Sequence, residues 1–166
     1  MKIPTYLKEH AHDITLLRID ENKKRYQGTE KQRIGTINSI LLGIVSREYY
    51  TEYIGIISEL IIRDRLDRDL FCSSYEVSTL IKKAEFVSND CDITMIRKGI
   101  KSRISVKGCE GSLKANKQAI DSEDVDSIVF VIYHHPEKYT LKTFTPHEIM
   151  NWEVKTAFSN YYFKEI

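Results

Sequence analysis

One segment constrains the fold more than any other: the run Ser127-Ile-Val-Phe-Val-Ile-Tyr133, in which every residue after the serine is apolar or aromatic. A strand that covers a core with one face alternates apolar and polar residues, whereas a continuous apolar strand is typical of a sheet that is covered on both faces. The segment therefore predicts a central, doubly covered strand. Such a strand is characteristic of an α/β fold.

The size and composition of the chain predict one globular domain. The chain has 166 residues, of which 42% are hydrophobic and 30% charged, and its prolines and glycines are scattered rather than gathered into a linker. No apolar run approaches the ~18 residues that a membrane span needs, and the N-terminus lacks the apolar core of a secretory signal. We therefore expect a cytoplasmic protein with no membrane partner.

The cysteines do not indicate disulfide bonds or a structural zinc site. Cys72, Cys91 and Cys109 are odd in number, widely spaced and without a CxxC pair. This spacing argues against both a disulfide scaffold and a structural zinc site. Reduced and mostly buried thiols are expected.

Helical periodicity dominates the first half of the chain. A capping-box pattern at Thr29 and apolar residues at helical spacing predict a helix over about 30–48, and a second helix should follow over about 51–67. A third helix is predicted from the capping-box pattern Ser73-x-x-Glu76, continuing through Val77, Leu80 and Ile81.

Strand periodicity follows from about residue 89 onward. Alternating residues predict a β-hairpin that includes 93–96 and 103–107, with its turn at Lys98-Gly99. A helix over 112–120 and a strand over 138–144 are also predicted, and Thr145-Pro146-His147-Glu148 should start a closing helix. The expected architecture is a mixed sheet of about four strands flanked by helices.

Glu59 occupies an unusual position on the second predicted helix. On a helical wheel it falls beside apolar residues such as Leu66 and Ile56. A carboxylate there costs several kcal/mol unless it meets a cation, a metal or a hydrogen-bond donor, so Glu59 needs a partner. An ion pair with Arg63, one helical turn later, is the alternative to a functional role.

Three further polar residues lie on the predicted hairpin. Asp92 opens the first strand, and Lys107 follows it by 107 − 92 = 15 residues on the partner strand. Because residues two apart on a strand share a face, Ser105 and Lys107 should point to the same side. An acid at a strand end often only caps a turn, so Asp92 alone does not indicate a functional site. The indication comes from the order and spacing of Glu59, Asp92 and Lys107.

In this order and spacing the sequence resembles the PD-(D/E)xK nuclease superfamily, which includes many type II restriction endonucleases. The resemblance spans residues 51–135, and Gly55, four residues before Glu59, also matches the family's helix. It implies a restriction-endonuclease-like core in which Glu59, Asp92 and Lys107 assemble one site. The strand segment Ser-Val-Lys-Gly differs from the family's motif at Ser105, where an acid is usual.

The resemblance also implies a metal. Carboxylates at Glu59 and Asp92 would hold Mg²⁺, with Mn²⁺ as an alternative, and Lys107 would act on the attacking water and on the developing negative charge. A serine binds metal poorly. The missing ligand could come from Asp90, Glu110 or Glu123, or from Glu59 itself.

Basic residues cluster around the predicted hairpin. Seven lie between residues 97 and 117 against the single acid Glu110. Such a cluster could form a phosphate-facing patch, or it could be an ordinary solvated surface. The predicted DNA-binding residues are Arg97, Lys98, Lys101, Arg103, Lys114 and Lys117.

These features lead to a functional hypothesis with two alternatives. The leading hypothesis is a metal-dependent DNA endonuclease of type II restriction-endonuclease character, acting on double-stranded DNA as a homodimer. The first alternative is a structure-specific nuclease such as a resolvase. The second is a non-catalytic DNA-binding or assembly subunit of the same fold. A Gly-x-Ser-x-Gly elbow and a phosphate-binding loop are both missing from the sequence, which argues against serine hydrolases and P-loop nucleotide binders.

Overall fold

The computed structural model describes residues 1–21, 43, 45–77, 92–122, 124–135, 137–157 and 159–166. These residues form α1 (Thr5–Glu21), α2 (Arg47–Asp67), β1 (Cys72–Val77), β2 (Ile93–Arg97), β3 (Ile100–Cys109), β4 (Ser112–Asn116), α3 (Lys117–Asp121), β5 (Ser127–His135), β6 (Lys138–Phe144), α4 (Pro146–Ile149), β7 (Glu153–Thr156) and β8 (Asn160–Glu165). The class is α/β, as predicted. No helix in this described part of the chain is long and apolar enough to cross a membrane.

The main sheet is mixed, as predicted, but has five strands rather than about four. Its order is β1-β2-β3-β5-β6, with β5 parallel to β3 and the other neighbours antiparallel. The predicted hairpin is confirmed as β2 and β3. Lys98 and Gly99 form its turn with φ values of 52° and 78°, a left-handed backbone that suits a two-residue hairpin turn.

The predicted doubly covered strand is confirmed as β5. Its side chains alternate between two hydrophobic clusters on opposite faces of the sheet. Val129, Val131 and Tyr133 pack on one face, whereas Ile128, Phe130 and Ile132 pack on the other. This alternation explains why the strand carries no polar face.

Helices α1 and α2 cover the first of these faces. The buried side of α2 includes Ile57 and Ile61, which share a cluster with Leu7 of α1 and Val106 of β3. The predicted helix over 51–67 is confirmed. It begins earlier, at Arg47, because the Ser46 side chain caps it by accepting a hydrogen bond from the backbone N–H of Tyr49 at 3.2 Å.

The second face of β5 is covered by a layer that the sequence did not predict. Strands β4, β8 and β7 form a three-stranded antiparallel sheet, which packs there together with the short helices α3 and α4. Helix α4 begins with the predicted capping box of Thr145 and Glu148. It is only four residues long because the chain then turns into the β7–β8 hairpin.

Two predicted helices are wrong where the structure describes them, and the continuation of one of them through Leu80 and Ile81 lies outside the described residues. The segment from Ser73 to Val77 belongs to β1, because its backbone pairs with β2 in register Tyr75↔Met95 and tertiary pairing outweighs the capping-box pattern. The first half of the predicted helix over 112–120 is β4, in which Leu113 and Ala115 are buried at strand spacing against β8. Only residues 117–121 are helical.

The predicted helix over 30–48 lies mostly outside the described residues. The described positions near its end contradict it, because Ser46 has an extended backbone and caps α2 instead. Cys72 and Cys109 are free thiols, as predicted, but they are half-buried rather than buried, and Cys91 lies outside the described residues. Burial, followed by the nearby charge of Glu110, raises the pKa of Cys109 to about 11.

Candidate functional site

The hairpin register brings Asp92 and Ser105 into contact. Asp92 lies directly before β2, and its backbone N–H donates to the carbonyl of Ile104 at 2.9 Å, which continues the β2–β3 ladder. Its carboxylate oxygen Oδ2 accepts from the backbone N–H of Val106 at 2.6 Å and from the Ser105 hydroxyl at 3.2 Å. Two residues that are 13 positions apart in sequence therefore share one hydrogen-bonded centre.

Ser105 is a buried hydrogen-bond donor at the position where the PD-(D/E)xK pattern has an acid. It is 1% exposed, and its hydroxyl donates to the Asp92 carboxylate. A second carboxylate here would stand beside Asp92 in a buried place, and two such charges require a cation or a shared proton. The serine instead satisfies one carboxylate with a neutral donor.

Lys107 lies on the same face of β3 as Ser105. Val106, between them, points to the opposite face and belongs to the hydrophobic cluster under α2. The half-buried Lys107 pairs with Phe130 in the parallel β3–β5 register. The predicted shared direction of Ser105 and Lys107 is therefore present.

Glu59 lies on the opposite side of the sheet. Helix α2 packs on the face of β3 that carries Ile104 and Val106, and the half-buried Glu59 belongs to that helical layer. The structure thus joins Asp92 to Ser105 and aligns Lys107 with them, but it does not place Glu59 on the same face. The sheet separates them because alternate strand residues face opposite sides.

The predicted substitute ligands do not join this centre. Glu110 is five residues beyond Ser105, which at strand spacing corresponds to about 17 Å, and its carboxylate accepts a hydrogen bond from the hydroxyl of Tyr50. Burial first, and then this bond, raises the pKa of Tyr50 to about 12. Asp90 and Glu123 lie outside the described residues.

The side chains that the structure describes could bind a metal only with few protein ligands. Among the residues that the structure describes, no group of three or more histidine, cysteine, aspartate or glutamate side chains could hold a metal ion. Mg²⁺ is often held by only one or two carboxylates, with waters and substrate phosphates completing its coordination. Asp92 is the described carboxylate that could act in this way.

The predicted basic patch divides into two parts. Arg97, Lys98, Lys101 and Arg103 lie on the β2–β3 hairpin, whereas Lys114 and Lys117 lie on β4 and α3.

Several of these cations are paired within the protein. Arg97 pairs with Asp69 at 2.8 Å, and Arg103 pairs with Asp126 at 3.0 Å. Lys117 pairs with Asp121 one turn along α3. Pairs this exposed contribute little to stability and can exchange for phosphate oxygens. Lys101 and Arg103 share the face of Ser105 and Lys107 because they occupy alternate positions on β3.

The contact that holds the helical layer against β3 was not predicted from the sequence. A Cβ atom at Gly108 would collide with the Ser58 hydroxyl oxygen and lie 2.9 Å from the carbonyl oxygen of Ile54, so α2 approaches β3 as closely as a glycine allows. Ser58 donates to that carbonyl at 2.6 Å and can accept from the Tyr133 hydroxyl at 2.8 Å. A glycine inside a strand was the signal in the sequence, since it often marks a close approach of another backbone.

A polar cluster between α1 and α2 was also not predicted. The ring nitrogen Nδ1 of His12 lies 2.5 Å from the Tyr49 hydroxyl, and Arg18 lies 3.5 Å from the buried carboxylate of Glu52. These contacts join α1 to α2 next to Tyr50, whose hydroxyl donates to Glu110. They therefore support the helical layer.

Comparisons with protein-family models, with curated proteins and with solved structures gave no match to this chain. No residue role can be transferred from a relative on that basis. The function must therefore be inferred from the chemistry of this chain's own residues.

Proposed function

We propose that the chain is a Mg²⁺-dependent DNA endonuclease with a restriction-endonuclease-like core. The observation that carries the proposal is the hydrogen-bonded Asp92 carboxylate at the start of the β2–β3 hairpin, with Lys107 on the same face of the partner strand. The order of elements also supports it: a helix carrying Glu59 precedes the hairpin, which belongs to a mixed sheet.

Four residues have a task in this chemistry. Phosphodiester hydrolysis needs an activated water and stabilisation of charge on the phosphate oxygens, and a bound Mg²⁺ supplies both. Asp92 would hold the ion. Ser105 and the Val106 backbone N–H would keep the Asp92 carboxylate in one orientation, as supporting hydrogen bonds do at metal sites. Lys107 would orient the attacking water or balance charge at the phosphate.

Glu59 takes no direct part in this scheme. Its helix covers the opposite face of the sheet. Among the residues that match the superfamily pattern, only those on the hairpin therefore lie on one face. Homodimer formation stays a prediction.

One observation favours a second candidate function, a non-catalytic DNA-binding subunit of the same fold. The buried Ser105 hydroxyl donates to Asp92 at the position where the superfamily has a metal-binding acid. A neutral donor at that position weakens metal binding, which favours a chain that binds DNA without cutting it. The two candidates differ in whether DNA is cut.

The test is cleavage of plasmid and phage DNA in Mg²⁺ or EDTA by the parent chain and by three variants. Lys107→Ala and Asp92→Asn change the proposed site, and Lys142→Ala is the matched control because Lys142 is exposed on β6. We expect discrete Mg²⁺-dependent fragments, a rate loss of at least about 10²-fold in both site variants, and an unchanged rate in the control.

Two other outcomes would redirect the proposal. Cleavage that survives in Lys107→Ala, at equal thermal stability, would place the site elsewhere. DNA binding without cleavage in any divalent metal would support the non-catalytic subunit, and neither binding nor cleavage would refute both candidates.

A further inference from the structure

An exposed patch of mixed apolar and basic character lies at the tip of the β2–β3 hairpin. Its apolar members are Leu70, Phe71 and Ile100, which are 97%, 56% and 69% exposed. We call this group, together with the basic residues Arg97, Lys98 and Lys101, the hairpin-tip patch. Single exposed apolar residues are ordinary, but three beside one turn indicate an interaction surface.

Hydrogen bonds hold the part of the patch around Phe71 in one shape. The Asp69 carboxylate accepts from the backbone N–H of Phe71 at 2.9 Å and from Arg97 Nε at 2.8 Å. The backbone N–H of Lys98 donates to the Phe71 carbonyl at 3.0 Å, and its ammonium group lies 4.5 Å from the centre of the Phe71 ring. The bond from Phe71 first, and that from Arg97 next, lowers the pKa of Asp69. A braced surface of this kind loses little entropy on binding.

The area of the patch is too small for a stable contact between two copies of the chain. Stable protein interfaces bury about 800 Å² on each partner, whereas even a fully buried aromatic side chain supplies only about 150–250 Å². Three side chains, of which Phe71 is already partly covered, fall below that requirement. The patch is better suited to inserting a few apolar groups into a narrow site with charged walls.

Duplex DNA offers such a site. Proteins that bind the minor groove insert leucine, isoleucine or phenylalanine between base steps, while lysine and arginine contact the adjacent phosphates. Lys98 lies in the turn with its ammonium group over the Phe71 ring, and Lys101 follows Ile100 on β3 and points to the opposite face of the hairpin. Both lysines are exposed. An anionic lipid surface would also attract these charges, but the position of the patch relative to Asp92 favours DNA.

The tip and the candidate site lie on the same pair of strands. The ladder runs from the pair Arg97↔Ile100 at the tip to the level of Asp92, five residues away, which is about 17 Å at strand spacing. One duplex rises about 3.4 Å per base pair, so this distance corresponds to about five base pairs. On β3, Lys101 lies on the face of Asp92 and Ile100 on the opposite face, so a duplex that spans both points takes the end of the hairpin into a groove.

From these observations we infer that the hairpin-tip patch is a DNA-binding wedge, in which Leu70 and Ile100 enter between base pairs and Lys98 and Lys101 contact phosphates. This inference rests on the proposed function, because it takes the substrate to be duplex DNA.

The test separates the apolar from the basic members of the patch. Binding of a short duplex that contains 2-aminopurine is measured in EDTA at several salt concentrations, so that no cleavage occurs. The apolar variant is Leu70→Ser with Ile100→Ser, the basic variant is Lys98→Gln with Lys101→Gln, and Leu17→Ser is the control because Leu17 is 63% exposed on α1.

The two variants should fail in different ways. The apolar variant should bind about tenfold or more weakly, with an unchanged salt slope and without the fluorescence increase that reports unstacking. The basic variant should lower the salt slope by about two, because two phosphate contacts are lost. The Leu17→Ser control should match the parent chain.

Other results would overturn the wedge. If the apolar variant binds the duplex as the parent does, the patch has another role. Parent self-association that the apolar variant abolishes would identify a second copy as the partner, and parent binding to phosphatidylserine vesicles without duplex unstacking would identify a membrane. Wedge-dependent binding without cleavage would refute the nuclease alone, and cleavage with wedge-independent binding would refute the wedge alone.

Discussion

Replacing Gly108 by alanine tests how the helical layer is held against the sheet. The added Cβ would collide with the Ser58 hydroxyl oxygen and would lie 2.5 Å from a methyl carbon of Ile54 and 2.9 Å from the Ile54 carbonyl oxygen. The serine can rotate away, but the carbonyl is part of the α2 backbone. Helix α2 must therefore move away from β3 along its buried face.

The cost of this movement can be worked out from known packing effects. Overpacking a core by one carbon costs about 1–3 kcal/mol, and the contact with backbone favours the upper part of that range. Alanine recovers about 0.5–1 kcal/mol relative to glycine by reducing the freedom of the unfolded chain. The net loss is about 2 kcal/mol, which lowers Tm by about 4–8 °C for a chain of this length.

The assay is thermal and urea unfolding of Gly108→Ala beside two companions. Gly55→Ala is the matched control, because no atom lies within 4 Å of a Cβ at Gly55, and it should gain about 0.5–1 kcal/mol of helix propensity. Ser58→Ala added to Gly108→Ala should not restore the loss, because the contact with the Ile54 carbonyl remains and the buried Tyr133 hydroxyl loses its Ser58 partner. A Gly108→Ala chain that unfolds at or above the parent Tm would refute the close packing of α2 on β3.

Three further predictions follow from the described contacts. Ser105→Asp should destabilise the chain by about 3 kcal/mol or more in EDTA, and Mg²⁺ should restore Tm if the hairpin binds metal. Ser105→Ala is the control for the lost hydroxyl. A Tm of Ser105→Asp that does not depend on Mg²⁺ would count against the metal site. Burial raises the pKa of Tyr49 and of Tyr50 to about 12, above the unfolded value of about 10. Because the folded pKa is higher, the stability from these neutral tyrosines is complete below pH ~10 and is lost as the pH rises towards ~12. Urea midpoints should therefore fall over this range, and they should fall more steeply in the parent than in the variant with phenylalanine at both positions. Thr145→Ala should cost about 1 kcal/mol in the same unfolding assay by removing the cap of α4, and a neutral result would show that the capping box contributes nothing.

The sequence alone determined the elements whose information is local. Continuous apolarity identified β5, strict alternation with a Lys-Gly turn identified the β2–β3 hairpin, and helical spacing identified α2. The hairpin register also follows from the sequence, because a two-residue turn sets which residues face each other. For that reason the shared direction of Ser105 and Lys107 could be predicted from strand periodicity.

Only the tertiary structure decided the rest, because the deciding contacts join residues that are distant in the chain. β1 carries a capping-box pattern but is a strand because β2 pairs with it, and β4 is a strand because β8, about 50 residues later, supplies its partner. The face of the sheet on which Glu59 lies depends on how α2 packs, which no local pattern records. The same is true of Gly108: its role is set by a helix that approaches from about 50 residues away.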